Sequence, residues 1–486
     1  MLTETDALSI NDINITETLD NAREILSSSK KIDPQARTLI QLLIVIVQLL
    51  VNKLGLNSRN SHKPPSQDPN RRKKTKGKGS KRKPGGQPGH KGIYLKPVEK
   101  PDVVHEIIID RKTLPEGHHY HHAGYDKRQV IDIVVSRQVT EYQAEIVRDE
   151  QGNEYVAEFP DRVKRPVQYG DLLKAKAVYM SVAQLIPLER VEDYLKSHCQ
   201  LNVSQGSLCN FNKEAFELLE DFEKVAREKL ISGYLLHNDE TGINISGNLR
   251  WLHSASNEKW TLFFPHEKRG MDGMNAFGIL PHFKGVAIHD HWKPYLGYEC
   301  DHALCNAHHL RELTRAWEQD GQRWAKNMYR LLLTMKHAVE KADGKLPKKM
   351  IERFRKKYQS LLSRANHECP EPKITGPKRR GRKKRSKARN LLERLRDYET
   401  ETLRFLTDPR VPFTNNLSER DIRMTKVQQK ISGCFRSIDT AKIFCRIRSY
   451  LSTCRKHGID PTEALRLLFT GKLPDFARGS SRTAQP

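Results

Sequence analysis

Cysteine is scarce here, with eight in 486 residues (Cys199, Cys209, Cys300, Cys305, Cys369, Cys434, Cys445 and Cys454). They are scattered and mostly without paired spacing, so the chain is not a disulfide-stapled scaffold and reduced thiols in a cytosolic setting are expected. Long hydrophobic runs are missing too. The one stretch worth testing as a membrane span, Leu39 to Leu56, is short and broken by Gln41, Gln48, Asn52 and Lys53, so no span is expected. The N-terminus is polar and acidic and does not read as a signal peptide. Acidic residues are also in deficit, 59 against 85 Lys and Arg, which leaves a formal charge of +26. That excess points to a polyanionic partner bound in a salt-sensitive way, and says little about fold. Nucleic acid is the first reading, a membrane surface the second, and an inert basic surface the third.

What is present falls into blocks, in a chain long enough for several domains. Residues 1–56 are a polar lead-in followed by a helical pattern. Leu39, Leu42, Ile46, Leu49 and Leu56 recur on three- and four-residue steps, which suits either a short coiled coil or a buried helix. Residues 57–99 form a Gly/Pro-rich basic linker. Its cations Arg71, Arg72, Lys73, Lys74, Lys81, Arg82 and Lys83 have no apolar face to pack, and suit phosphate contacts without base readout. Residues 100–168 read as a small β module, with strands expected at 103–109, 130–135 and 142–147. Residues 169–231 read as helical, with Ser204 as an N-cap; two helices there make either a helix-turn-helix or a core hairpin.

From residue 232 the pattern becomes strand-like: 233–236, 250–255 and 260–264, then a helix over 271–280 and a fourth strand over 285–288. Two apolar runs here deliver acids. Leu235-Leu236-His237-Asn238 leads to Asp239, and Val286-Ala287-Ile288-His289 leads to Asp290. Residues 313–405 are helical and charged. They contain a second basic tract, with Arg379, Arg380, Arg382, Lys383 and Lys384 assigned to DNA backbone contact. Residues 406–437 hold Asn415-Asn416-Leu417-Ser418-Glu419-Arg420, where either asparagine can cap a helix carrying Glu419. Arg420, Arg423, Lys426, Lys430 and Arg436 follow as further candidate phosphate contacts. Residues 438–486 close the chain with helices and a polar tail.

Two strand-end aspartates and a distant helical glutamate are the set that a two-metal phosphoryl-transfer site uses. Such a site holds its cations roughly 3.5–4 Å apart. Carboxylates suit Mg²⁺ or Mn²⁺, which prefer hard oxygen donors. Taken singly, each acid reads first as a loop or cap residue, and Glu419 also as first-turn compensation of a helix dipole.

Together with their flanks, these acids resemble those of the DDE transposases of IS66-type bacterial insertion sequences. The match is carried by Asn238-Asp239-Glu240-Thr241, His289-Asp290-His291-Trp292-Lys293-Pro294-Tyr295, Cys305-Asn306-Ala307-His308, Asn415 to Arg420, and Lys426 to Ser437. The resemblance implies a multidomain α/β protein with a ribonuclease-H-like catalytic core and an α-helical insertion. A zipper-like coiled-coil helix, the β module and a helical DNA-binding region precede that core. It implies Asp239, Asp290 and Glu419 as catalytic metal ligands, and Cys305, His308, Asn415 and Asn416 as a motif shaping the core. Relatives carry two Cys-x-x-Cys-Gly pairs in the β module. Here Tyr120, Ala123, Arg148 and Gln151 stand in their place, so zinc is not expected despite His118, His119, His121 and His122. Cys305-x-x-His308 by itself is half a zinc site.

The function implied is Mg²⁺- or Mn²⁺-dependent cleavage at the element's ends and strand transfer into target DNA. The partners implied are both DNAs, further copies of the chain and accessory proteins of the same element, at the bacterial nucleoid in the cytoplasm. A catalytically silent derivative, a nuclease of the same fold and a purely architectural DNA protein are the alternatives.

Overall fold

The computed structural model describes residues 9–10, 13–29, 32–61, 95–372 and 385–478. The basic residues 71–74, 81–83, 379, 380 and 382–384 lie outside these segments. Fifteen α-helices and a mixed five-stranded sheet make the described chain an α/β protein.

Strands β1 (Ser9–Ile10) and β2 (Ile13–Asn14) pair ahead of helix α1 (Ile15–Ser28). Helix α2 (Pro34–Leu54) starts at Asp33, whose carboxylate accepts from the Gln35 and Ala36 amides, and Pro34 takes the first position, where no amide donor is needed. Only Ile44 of α2 is buried, beside Leu19 and Leu26 of α1. Leu39, Leu42, Ile46 and Leu49 are exposed, whereas Leu56 lies beyond the helix end and so drops out of the expected seam. At 21 residues α2 is long and apolar enough to cross a bilayer, although the sequence had set that stretch aside as too short and too polar.

The β module departs from expectation. One short hairpin, β3 (Ile146–Arg148) with β4 (Glu154–Val156), is the pairing described between residues 95 and 168. Ile107, Val130 and Val134 are 90% or more exposed and carry their β-branched side chains without a face to pack on. Periodicity selected strands there, but a strand needs a partner and a covered face to persist.

Helices α3 (Asp171–Val178), α4 (Leu188–Cys199), α5 (Gln205–Leu218) and α6 (Glu220–Ile231) follow, with a π-helical turn over Tyr179–Ala183. Ser204 caps α5 as its position suggested, accepting from the Ser207 amide. The sheet comprises β5 (Leu235–Ile245), β6 (Asn248–Ser256), β7 (Thr261–His266), β8 (Val286–His289) and β9 (Asp301–Leu304), in the order β7-β6-β5-β8-β9. The first three form an antiparallel meander, and β8 and β9 join parallel to β5. Ser246 and Gly247 both adopt positive φ, +49° and +82°, which makes the tight turn that matches the twist of β5 and β6. Helix α7 (Met271–Phe277) lies between β7 and β8. Strand β9 had no counterpart in the sequence reading.

After the sheet come α8 (Asn306–Glu318), α9 (Arg323–Lys341), α10 (Lys348–Glu368), α11 (Lys387–Asp397), α12 (Glu399–Thr407), α13 (Asn416–Ser432), α14 (Ile438–Lys456) and α15 (Pro461–Phe469). The sheet separates two cores. Val286 and Ile288 of β8 pack with α8–α12, while Ala287 between them packs with α3–α6, α14 and α15, as strand alternation requires. Helix α14 covers the edge strand β7: the Phe263 and Thr261 amides donate to Ser449 Oγ (2.9 Å) and Thr453 Oγ1 (3.1 Å). Those contacts satisfy donors that an open edge would leave exposed.

Candidate active site

Asp239 lies inside β5 and not at its end. Parallel pairing with β8 stops at His237, and β5 runs on for eight residues beside β6, with a bridge to Phe435 at its far end. Asp290 directly follows β8. The two acids thus share the C-terminal rim of the parallel part of the sheet, where ligands of α/β folds characteristically bind. Glu419 arrives from the first turn of α13.

Hydrogen bonds join these three segments. Asn415, expected as a cap, makes no side-chain cap bond to α13. Its amide group instead reaches β5: Nδ2 donates to the Asn238 carbonyl (2.7 Å) and Oδ1 pairs with His237 Nδ1 (2.8 Å). The backbone N–H of Asn415 donates to Cys305 Sγ (3.2 Å). Ser418 Oγ meets Ser254 Oγ (2.7 Å), and Ser254 Oγ also donates to the Asp239 carbonyl (3.2 Å). Cys305 N–H donates to the His289 carbonyl (3.0 Å), and Asn306 N–H to the Phe413 carbonyl (3.1 Å). Asn415, Ser418, Asn306 and Cys305 are all buried, whereas Asn416 is exposed at the first residue of α13.

Asp239 is pushed up to about 8, first by burial and then by the negative charges of Glu240, Glu419 and Asp290. One of its oxygens accepts from the Glu240 amide (2.9 Å). Asp290 accepts from the Trp292 amide (2.9 Å). Glu419 Oε1 is buried and has no hydrogen-bond partner.

A fourth acid enters here. The Glu240 side chain is 2% exposed and is also raised, by burial and then by Asp290. Arg269 donates to Glu240 Oε1 through Nε (2.9 Å) and an Nη (2.6 Å), and the Tyr295 hydroxyl donates to Oε2. The guanidinium lies 4.0 Å from the Trp292 ring and 4.9 Å from that of Trp251, a cation–π stack that fixes the clamp. The sequence reading omitted Arg269, and named Glu240 and Tyr295 only within the matching blocks, without a role. The available signal was an acid within a strand, which when buried needs a cation, but nothing local identified one 29 residues away. Burial also drives His289 down to about 3, stacked 4.6 Å from Tyr295.

The helical segment between the acids also reaches the site. Arg394 of α11 is ion-paired with Glu312 of α8 and feels the charge of Asp290. Among the described residues, the His/Cys/Asp/Glu group compact enough to share one ion is Cys305, His308 and Glu419, with donor atoms within 4.8 Å of one another. His118, His119, His121 and His122 are exposed and form no such group. Of the expected phosphate contacts, Arg420, Arg423, Lys426, Lys430 and Arg436 are exposed on or just after α13, and Lys426 Nζ donates to the Gly242 carbonyl.

No curated protein matches the chain. A family of unknown function, DUF6444, matches residues 25–96, across α2 and the basic linker. The model of the IS66 transposase family matches residues 166–443, more than half of the chain and the whole of the site just described. With the five-stranded sheet and the acid-bearing segments inside that match, the chain belongs to the IS66 transposase family.

Proposed function

We propose that this DNA-processing enzyme is a DDE transposase whose ribonuclease-H-like core uses Asp239, Asp290 and Glu419 to hold two divalent cations, Mg²⁺ or Mn²⁺. The observation that carries this reading is the convergence of Asp290, Glu419 and Glu240 on a buried Asp239, strong enough to lift its carboxyl to about 8. Arg269 compensates Glu240, and the charges of Asp239, Asp290 and Glu419 gathered beside it fit a site completed by divalent metal. The unpartnered Glu419 Oε1 fits it too. Bound there, the cations would lower the pKa of attacking water and neutralise charge on the leaving oxygen.

The reaction proceeds in two exchanges. Water attacks a phosphodiester at the element end, breaking its P–O3′ bond and freeing a 3′-hydroxyl. That hydroxyl then attacks a target phosphodiester, so one P–O bond forms as another breaks and no nucleotide cofactor is consumed. Arg269, held between two tryptophans, fixes the Glu240 carboxylate in place beside Asp239. Arg420, Arg423 and Lys430 present cations along the exposed side of α13, where a DNA backbone entering the site would run. The segments 1–56, 57–99, 100–168 and 169–231 serve assembly and DNA capture, and 313–405 is an insertion that brings Arg394 to the core. Exposed Leu39, Leu42, Ile46 and Leu49 of α2 pair copies of the chain.

An excision assay tests this. With a donor plasmid carrying the element's own ends, Asp239→Ala, Asp290→Ala and Glu419→Ala should each abolish excision while keeping expression and DNA binding. Activity surviving the loss of any one acid would remove that residue from the site.

A further inference from the structure

We propose that Cys305, His308 and Glu419 form a site for one thiophilic divalent cation of the zinc class, sharing Glu419 with the candidate catalytic acids. A sulfur, an imidazole nitrogen and a carboxylate oxygen lie within 4.8 Å of one another. Mixed thiolate, imidazole and carboxylate donors suit zinc or cobalt and are poor ligands for magnesium. Around a tetrahedral zinc, bond lengths near 2.0–2.3 Å put such donors roughly 3.3–3.8 Å apart, so closure on the order of 1 Å completes the set.

Local structure already fixes two of the donors. Cys305 is the N-cap of α8 and His308 lies in its first turn, with the His308 amide on the Cys305 carbonyl (3.1 Å). The Cys305 sulfur is oriented by the Asn415 N–H at 3.2 Å. The third donor carries an independent sign: Glu419 Oε1 is buried and without a partner. From the sequence, Cys305-x-x-His308 was half a site; the fold supplies a third ligand from 111 positions further along the chain. Binding displaces the thiol proton to solvent and leaves one position for water, as in zinc sites with three protein ligands. The consequence rests on the catalytic reading of Glu419. A cation held by the thiolate and imidazole draws that carboxylate from Asp239 and Asp290, so occupancy of this site opposes magnesium-dependent cleavage.

The test is a Co²⁺ titration of the metal-free full chain in excess Mg²⁺, followed by thiolate-to-cobalt charge-transfer absorption and reversed with Zn²⁺. The wild type should show one saturable band. Cys305→Ser, which keeps an acceptor for the Asn415 amide, should abolish it. His308→Ala and Glu419→Gln should each weaken binding by more than the roughly 10–100-fold that outer-shell partners contribute. Circular dichroism checks that each variant folds. No band in the wild type, or a band that survives Cys305→Ser, overturns the site. A band that needs Cys305 and His308 but ignores Glu419→Gln overturns the sharing. None of these readouts involves DNA, so failure of the excision assay and failure of the cobalt site are separately visible.

Discussion

Glu240 is the residue whose environment is most finely balanced. Its carboxylate is buried beside Asp290, and its charge is tolerated because Arg269 and Tyr295 donate to both oxygens. Arg269→Ala leaves that charge with one donor, and losing a hydrogen bond to a buried charged group costs about 1–3 kcal/mol. Urea unfolding should show a loss in that range. Adding Glu240→Gln should recover most of it, because the second change removes the stranded charge. Equal destabilisation in the single and double variants would mean that the clamp contributes through packing on Trp251 and Trp292 alone. Gly285 is a second sharp position. A Cβ there would sit 2.3 Å from the Tyr234 carbonyl oxygen, a backbone atom that cannot rotate away. Gly285→Ala should separate β8 from β5 and lower stability by about 1–3 kcal/mol, the usual cost of overpacking. An unchanged urea midpoint would show that the strands can part without loss.

At the scale of elements, the junction between α13 and the sheet decides whether Glu419 reaches the aspartates. Asn415 holds it, with side-chain bonds to His237 and Asn238 and none to its own helix. Asn415→Ser replaces one good capping residue by another. If capping were its task the change would be silent. Because the bonds run across to β5, Asn415→Ser should behave like Asn415→Ala: about 1–3 kcal/mol less stable and deficient in cleavage. A silent serine variant would return Asn415 to the role the sequence suggested. The contrast shows what was legible. Helices with strong apolar periodicity, such as α4 and α9, and the meander before Asp290 followed from local pattern. Strand β9 did not, because four residues beginning Asp301-His302 have no alternation to read. Neither did the failure of 103–109 and 130–135 to pair, since β-branched sequence signals a strand without saying whether a core exists to receive it. The two aspartates could be named because apolar runs led up to them, and Glu419 because its flanks matched. Arg269, Tyr295 and the cross-links of Asn415 arise only when the chain returns on itself, over separations of 29, 55 and 177 residues from their partners.

For the whole molecule, a net charge of +26 makes DNA affinity a question of salt. Each phosphate neutralised releases condensed counterions, so the logarithm of affinity falls linearly with that of salt concentration, by nearly one per contact. If α13 lies along the backbone, Arg420→Ala and Arg423→Ala should each lower the slope by about 1, with similar losses on unrelated sequences. Binding isotherms across a salt series measure this directly. A loss confined to element-end DNA would instead assign those arginines to base readout. Lys426 provides the internal contrast, because its ammonium already donates to the Gly242 carbonyl and is depressed by partial burial. Lys426→Ala should therefore change the slope less than either arginine and loosen the hold of α13 on β5. If all three variants shift the slope equally, the Lys426–Gly242 contact gives way when DNA binds, and the whole exposed side of α13 meets the phosphates.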